Sequence, residues 1–237
     1  MEQQLSLKIL YEDADIIVCV KPAGTATQTK KTGQQDMLSL LRNYRHRKGE
    51  DVYVGLVHRL DQPVEGILVF GKHAQSTAEL NRQLGKGGFI KEYLSVTQGE
   101  MPEKHGKLQD FLRKDGRSNT SYVTSGDDKQ AKRAELLYEV LETDRTGIPV
   151  LNLVKIRLLT GRHHQIRVQM AHLGTPLAGD TKYGSSSQIG HPHQMAGGLG
   201  LCACKLEFQH PVTKKLMNFK VAPSQPVFQK FGRCSKK

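Results

Sequence analysis

The chain has 237 residues, of which 37% are hydrophobic and 24% charged, and its formal net charge is +12. This length is ample for a sizeable core, and four cysteines are too few for a disulfide scaffold. A membrane-spanning helix needs about 20 apolar residues, and no apolar stretch here approaches that length. The N-terminus also lacks a signal-peptide pattern. We therefore expect neither an integral membrane protein nor a secreted one.

Apolar periodicity and turn residues predict the elements in chain order. Strands are predicted at 5–11 and 15–20, a basic helix at 37–48, strands at 52–57 and 66–71, a helix at 74–84, and a strand at 90–97. Antiparallel strands follow within 107–143, then a strand at 150–159, a helix at 163–173, a long loop at 184–200, and strands at 201–208 and 215–221. Many strands with short connections predict an α+β fold with a mixed, mainly antiparallel sheet. No composition break divides the chain, so we expect a single domain over residues 1–237.

The excess positive charge is concentrated in the C-terminal third. Residues 1–150 carry 22 basic and 21 acidic side chains, whereas residues 151–237 carry 13 basic and 2 acidic ones. A one-sided positive surface indicates a polyanionic partner, most simply nucleic acid. The alternative is a basic, solvated face without a partner.

A short polar motif, His58-Arg59-Leu60-Asp61, lies between two predicted strands. The strands on both sides would fix the position of the carboxylate, while the loop would leave it accessible to a substrate. A nearby arginine would keep it ionised. The alternative is a structural Arg–Asp pair that closes a turn.

Glu65 adds a second carboxylate, which would allow a glycosidase-like hydrolase with paired carboxylates. The basic charge and the absence of Trp argue against that function.

A second cluster of polar side chains includes Arg162, His163, His164 and Arg167. On a helix, His163 and Arg167 would share a face at i and i+4. Such a cluster could hold phosphates, orient a carboxylate, or be solvated. A turn-rich segment, residues 174–184, follows it.

Four side chains could form a zinc site: His191, His193, Cys202 and Cys204. Structural zinc sites usually place at least two residues between paired cysteines, so the Cys-x-Cys spacing argues against this hypothesis. The hypothesis of a zinc-dependent enzyme depends on these four residues alone.

Five segments together carry a family resemblance. They are LYEDADIIVCVKPAG (10–24), VHRLDQPVEGILVFGK (57–72), IKEYLSVTQG (90–99), LLTGRHHQIRVQMAHLGTPLAGDTKYG (158–184) and LEFQHPVT (206–213). In order and spacing, over nearly the whole chain, the sequence resembles the RluA-type pseudouridine synthases.

The resemblance implies a mixed, largely antiparallel sheet with flanking helices and a central RNA-binding cleft. It implies isomerisation of uridine to pseudouridine in ribosomal or transfer RNA, with neither cofactor nor metal. We therefore expect RNA as the partner, no membrane, a cytoplasmic location and a monomer. We also expect no accessory N-terminal RNA-binding domain. A catalytically inactive RNA-binding protein of the same fold is the alternative.

The resemblance also implies roles for individual residues. Asp61 resembles the catalytic aspartate, and Arg59 the loop arginine that helps to displace the target base. Tyr93 resembles the aromatic residue against the target uracil, although it could instead be a core residue of its strand. Arg167 resembles the arginine that pairs with the catalytic carboxylate.

Further residues are expected to bind RNA, namely His58, Arg59, Arg162, His164 and Lys182. One departure from the family pattern is Val64-Glu65, where Thr-Ser is usual. This change adds a carboxylate near the active loop and could alter contacts with RNA.

Overall fold

A computed structural model describes residues 7–31, 33–184 and 197–235. Leu5 and Ser6, at the start of the first predicted strand, lie outside the described residues, as do positions 185–196 of the predicted long loop. None of the helices in the described ranges combines the length and the apolar character that crossing a bilayer requires.

The predicted fold class, α+β with a mixed, mainly antiparallel sheet and flanking helices, is confirmed. The strands are β1 (Lys8–Glu12), β2 (Ile16–Lys21), β3 (Gly55–Leu56), β4 (Glu65–Gly71), β5 (Ile90–Gln98), β6 (His105–Asp115), β7 (Thr120–Thr124), β8 (Lys132–Asp144), β9 (Leu151–Leu158), β10 (Leu201–Gln209) and β11 (Leu216–Lys220). The helices are α1 (Met37–Arg47), α2 (Ala74–Gly85), α3 (Gln165–His172) and α4 (Gly232–Ser235), and a 3-10 helix covers Pro226–Lys230.

The chain divides into two compact units. The first comprises Met1–Ile90 and Ala203–Val221, and the second comprises Lys91–Cys202 and Ala222–Lys237. Asp61 therefore belongs to the first unit, whereas Tyr93 and Arg167 belong to the second. The expected single domain over residues 1–237 and the central cleft stay predictions.

Two strands buried on both faces, β2 and β4, form the centre of the first unit. They pair antiparallel with each other, β1 pairs with β2, and β3 with β4. Because both faces are covered, these strands are continuous apolar runs in the sequence and do not alternate. Helix α2 packs on β4. The core cluster includes Ile16, Val18, Ile67, Val69, Leu80 and Phe208.

Helix α1 begins where the sequence predicts, and its start has a physical cause. The Asp36 carboxylate accepts a hydrogen bond from the Ser39 amide at 2.7 Å, and the Ser39 hydroxyl oxygen accepts one from the Asp36 amide at 3.0 Å. This capping box satisfies amide groups that the first turn leaves without helical partners.

The prediction of a strand over residues 52–57 is wrong for most of its length, since only Gly55–Leu56 pair with β4. The Tyr53 amide instead donates to the Asp51 carboxylate at 3.0 Å, and its carbonyl accepts from the buried Arg45 guanidinium. Side chains thus satisfy the backbone groups that a sheet would otherwise pair.

The second unit is an antiparallel arrangement of strands in the order β5-β9-β8-β6-β7. The predicted antiparallel strands within 107–143 are therefore confirmed. Helix α3 packs on β6 and β7, where Val168 joins a cluster with Leu112 and Ala134.

Helix α3 begins at Gln165, two residues later than predicted. His164 has φ 54°, in the left-handed region, which a right-handed helix cannot contain. His163 and His164 therefore precede the helix, and the expected i, i+4 relation of His163 and Arg167 on one helix is wrong.

Candidate active site

Asp61 lies in the connection between β3 and β4 of the first unit. Leu60 and Val64 are buried on either side of it, Asp61 is half-buried, and Arg59 is exposed. The Val64 amide donates to the Asp61 carbonyl at 3.0 Å, which closes a tight turn. Buried neighbours thus anchor a loop that presents the carboxylate at the surface of its unit.

A second segment clamps this loop through reciprocal hydrogen bonds. The Thr27 hydroxyl donates to the Leu60 carbonyl at 2.9 Å and accepts from the Leu60 amide at 3.1 Å. The Gly24 amide donates to the Gln62 carbonyl, and the Gln62 side-chain amide donates to the Gly24 carbonyl, both at 2.9 Å. Gly24 has φ +84°, which favours glycine at this turn. Both neighbours of Asp61 are therefore held by the same segment.

The Lys21 ammonium lies beneath this clamp, fully buried. It donates to the carbonyls of Pro22 at 3.0 Å, Thr25 at 2.6 Å and Gln62 at 3.0 Å. A buried ammonium with three acceptors has all its donors satisfied. Lys21 therefore joins the end of β2 to the residue next to Asp61.

We expect Lys21→Met to lower the free energy of unfolding by about 2–3 kcal/mol at neutral pH, because buried carbonyls lose their donor. Burial lowers the pKa of Lys21 from 10.5 to about 8, although the charges of Asp61 and Glu65 oppose that shift. Between pH of about 8 and 10.5, Lys21 is more often protonated in the unfolded chain than in the folded protein. The stability of wild type relative to the variant should therefore increase as pH rises through this range.

Urea denaturation at neutral pH and at about pH 9.5 measures both effects. Lys86→Met, which replaces an exposed lysine of the same unit, is the matched control. A Lys21 variant as stable as wild type at neutral pH would contradict the structural role, and so would a stability difference that shrinks as pH rises.

His58 and Arg59 differ in their surroundings. The His58 Nε2 atom accepts a hydrogen bond from the Val69 amide at 3.3 Å, and its ring meets Phe89 edge-on at 6.1 Å. His58 is thus half-buried against β4, whereas Arg59 is exposed. An exposed arginine two residues from Asp61 suits the base-displacing role, which stays a prediction.

Tyr93 lies in β5, opposite Ile156 of β9, and only 7% of its surface is exposed. Such burial is compatible with a core side chain and also with an aromatic side chain that lines the uracil site. The contact of Tyr93 with uracil therefore stays a prediction.

Arg167 and Asp180 form a buried ion pair in the second unit. The Arg167 Nε and Nη2 atoms donate to the two carboxylate oxygens of Asp180, both at 2.7 Å. The amides of Lys182 and Tyr183 also donate to this carboxylate, at 2.9 and 3.2 Å. The Arg167 guanidinium lies 5.1 Å from the centre of the Tyr183 ring. Arg167 is therefore fixed by Asp180, a residue outside the predicted site. The predicted pair of Arg167 with Asp61 joins residues of different units and stays a prediction.

The Tyr183 hydroxyl connects this ion pair to the two histidines. It lies 2.6 Å from Nδ1 of His164 and accepts from the Ser121 amide at 2.8 Å. The rings of His163 and His164 stack at 3.7 Å. Burial, followed by the positive charge of Arg167, lowers the pKa of His164 to about 4, so this buried ring is neutral at pH 7.

Arg162 and Lys182 are exposed, so both side chains are accessible to RNA. The Arg162 Nε atom donates to the Arg133 carbonyl at 2.9 Å, and the Lys182 ammonium donates to the Asn119 carbonyl at 2.9 Å. Both cations thus bind main-chain oxygens and remain accessible to an anion. Their contact with RNA stays a prediction.

Three of the residues that order the site, Lys21, Thr27 and Asp180, are missing from the residues that the sequence predicts for it. Asp180 follows Gly179, which has φ 74° and marks a turn. An aspartate after a turn glycine is a common pattern, so the sequence carries no signal that distinguishes this carboxylate as the partner of a buried arginine.

Within the described ranges, one cluster has the composition of a metal site: Asp13, Asp15 and His210. Its polar atoms have partners, because the Asp13 carboxylate accepts from the Tyr11 hydroxyl at 2.8 Å and from two backbone amides. The His210 Nδ1 atom accepts from the Thr213 amide at 3.1 Å, so Nε2 carries the proton towards Asp13 at 2.8 Å. These contacts fit a structural hydrogen-bond network. Of the hypothetical zinc ligands, His191 and His193 lie outside the described residues.

Comparisons with known proteins agree on one family. The family profile described as RNA pseudouridylate synthase matches residues 15–172. An uncharacterised RNA pseudouridine synthase of Bacillus subtilis, YhcT, is 34% identical over 89% of this chain and 67% of its own length. Ribosomal large subunit pseudouridine synthase D of Vibrio cholerae is 34% identical over 92% of this chain and 67% of its own length. The tRNA pseudouridine synthase C of the same organism is 28% identical over 88% of each chain.

A solved structure shares the fold. Human RNA pseudouridylate synthase domain containing 1 superposes with a TM-score of 0.76 at 23% sequence identity, covering 97% of this chain and 87% of its own.

Proposed function

Because the chain belongs to the RNA pseudouridylate synthase family, we propose that it isomerises uridine in RNA to pseudouridine at Asp61. The resemblance to RluA-type synthases is thus confirmed. The observation that carries the proposal for Asp61 is its placement in a clamped loop, half-buried, between two anchored neighbours. A reacting carboxylate needs this combination of a fixed backbone and an accessible side chain.

The proposed reaction breaks the bond between N1 of uracil and C1′ of ribose and forms a bond between C5 and C1′. The proton on C5 leaves to solvent and N1 gains one, so atoms and charge balance without redox chemistry. We therefore propose that no cofactor or metal takes part. Asp61 acts as a nucleophile or as a base that removes a ribose proton.

The other predicted catalytic residues support this carboxylate. In the proposed complex, Arg167 lies against Asp61 and keeps it ionised, while Asp180 holds the guanidinium in one orientation. Tyr93 lies against the target uracil. Arg59 fills the space that the uridine leaves when it is flipped out of its stack, a step that costs a few kcal/mol.

The substrate class follows from the relatives, two of which are named for ribosomal RNA and transfer RNA modification. We propose RNA of one of these classes, bound through His58, Arg162, His164 and Lys182 in a cleft of a single catalytic domain. We further propose that the protein acts as a monomer in the cytoplasm.

Tritium release from RNA labelled at C5 of uridine tests the activity, since the isomerisation must expel this hydrogen. Wild-type protein should release tritium from ribosomal or transfer RNA and leave pseudouridine in the product. An inactive RNA-binding protein would bind these RNAs and release none from any of them, which would contradict the proposed function.

Chelation tests the metal-free mechanism separately. We expect full tritium release after exhaustive treatment with a zinc chelator, because no step of the balanced reaction needs a Lewis acid or an oxidant. The measurement compares rates before and after treatment, with zinc readdition as the control. A rate that falls with the metal content and recovers with added zinc would overturn this mechanism and favour the zinc hypothesis.

A further inference from the structure

Helix α1 presents an outward face that carries only cations and neutral hydrogen-bonding groups. Its sequence, MLSLLRNYRHR, contains no acidic residue. Its buried side is formed by Met37, Leu38, Leu41 and Arg45. The exposed side chains are those of Arg42, Asn43, His46 and Arg47. Helix faces that are merely solvated commonly mix the two signs of charge, so a uniformly basic face needs a further explanation.

The carboxylates nearest the end of α1 are already paired. Glu12 accepts from Lys48 at 3.0 Å and from Lys72 at 2.9 Å. Glu50 also accepts from both lysines, at 2.9 Å in each case. These acidic groups are thus engaged with other cations.

The side chains of Arg42 and Arg47 form no ion pair or hydrogen bond with any of the residues that the structure describes. Both side chains are exposed, on a helix whose apolar side is buried in the core. An exposed arginine with unused donors on a fixed helix is suited to bind phosphate, because its fork of N–H groups matches two phosphate oxygens.

The face is connected to the active loop by one segment, residues 22–31. On one side, Thr27 exchanges hydrogen bonds with Leu60, next to Asp61. On the other side, the Met37 amide donates to the Ala26 carbonyl at 3.0 Å. The same segment ends in two exposed lysines, Lys30 and Lys31. A hydrogen-bonded segment that ends in two exposed lysines therefore joins the active loop to the start of helix α1 within the first unit.

We propose that the α1 face, defined as Lys30, Lys31, Arg42, His46 and Arg47, binds the phosphate backbone of the substrate RNA beside the target uridine. This inference rests on the proposed function, since RNA is the polyanion that must approach Asp61. The phosphate contacts position the RNA without reading its bases. They supplement the basic excess of residues 151–237, which the sequence alone indicates as the RNA-binding region.

The double variant Arg42→Gln/Arg47→Gln tests the proposal. We expect its Kd for a labelled substrate RNA to rise on the order of tenfold at low salt, and KM to rise with it. The slope of log K against log salt should lose about 1.4 in magnitude, because two phosphate contacts are removed from a single-stranded region. The kcat value should fall less than twofold, because neither arginine reaches the reacting atoms.

The matched control is Arg82→Gln in α2 of the same unit. Arg82 is exposed but pairs with Glu79 at 2.7 Å, so its replacement should leave both Kd and the salt slope as in wild type. A double variant with wild-type Kd and slope would overturn the proposal, and so would equal losses in the control. If wild type binds RNA but releases no tritium, the proposed function is wrong. The salt slope of RNA binding by the double variant still tests whether the α1 face binds phosphates in that case.

Discussion

Asp61→Asn is expected to abolish tritium release while RNA binding persists. The amide has nearly the same size, and the hydrogen bond from the Val64 amide to the carbonyl of residue 61 involves only the main chain. The clamping segment bonds to Leu60 and Gln62, the neighbours of Asp61, so the loop keeps its conformation. An amide can act neither as a nucleophile nor as a base, so the rate should fall on the order of 10⁴-fold or more.

Single-turnover tritium release gives the rate, and filter binding gives the RNA affinity, which we expect within about threefold of wild type because phosphate contacts supply most of it. Glu65→Gln is the matched control, since Glu65 is the other carboxylate near this loop and is buried in β4. It should keep turnover within about tenfold, because it is not the proposed reacting group.

Two results would contradict this assignment. Turnover by Asp61→Asn close to wild type would exclude the aspartate as the reacting group. Equal losses in both variants, with free uracil as the wild-type product, would favour a hydrolase that uses paired carboxylates.

Asp180→Asn should have the largest effect on stability among the changes considered. The variant leaves the Arg167 guanidinium, 5% exposed, without the carboxylate that now binds it at two positions. Removing one partner of a buried ion pair costs about 3–5 kcal/mol, because the remaining charge stays desolvated. The midpoint of thermal unfolding should fall by about 6–20 °C, given the size of the chain.

Differential scanning calorimetry measures this effect, with Asp128→Asn as the matched control. Asp128 pairs with the half-exposed Arg113 at 3.0 Å in the same unit, so its loss should cost no more than about 1 kcal/mol. Tritium release by Asp180→Asn, measured below its melting temperature, should also fall, because Arg167 loses its fixed orientation. An Asp180 variant that melts with wild type would show that the pair is not a main source of stability.

Most of the helices and strands could be predicted because their signals are local. The apolar runs of β2 and β4 and the spaced apolar residues of α1 and α2 lie within the elements that they form. Predictions failed where a distant side chain satisfied the backbone, as Arg45 does for Tyr53, or where a single residue takes a left-handed conformation, as His164 does. Neither effect changes the periodicity of apolar residues.

The sequence by itself determined the family, the α+β class and the motif that carries Asp61, because order, spacing and periodicity are properties of the chain alone. Only the tertiary structure decided that Lys21 lies buried beneath the active loop and that Asp180 is the carboxylate that holds Arg167. Lys21 and Gln62 are 41 positions apart, and Arg167 and Asp180 are 13 apart. Hydrogen bonds near 3 Å between such residues depend on how strands and turns pack, and that packing leaves no mark in the spacing of residue types.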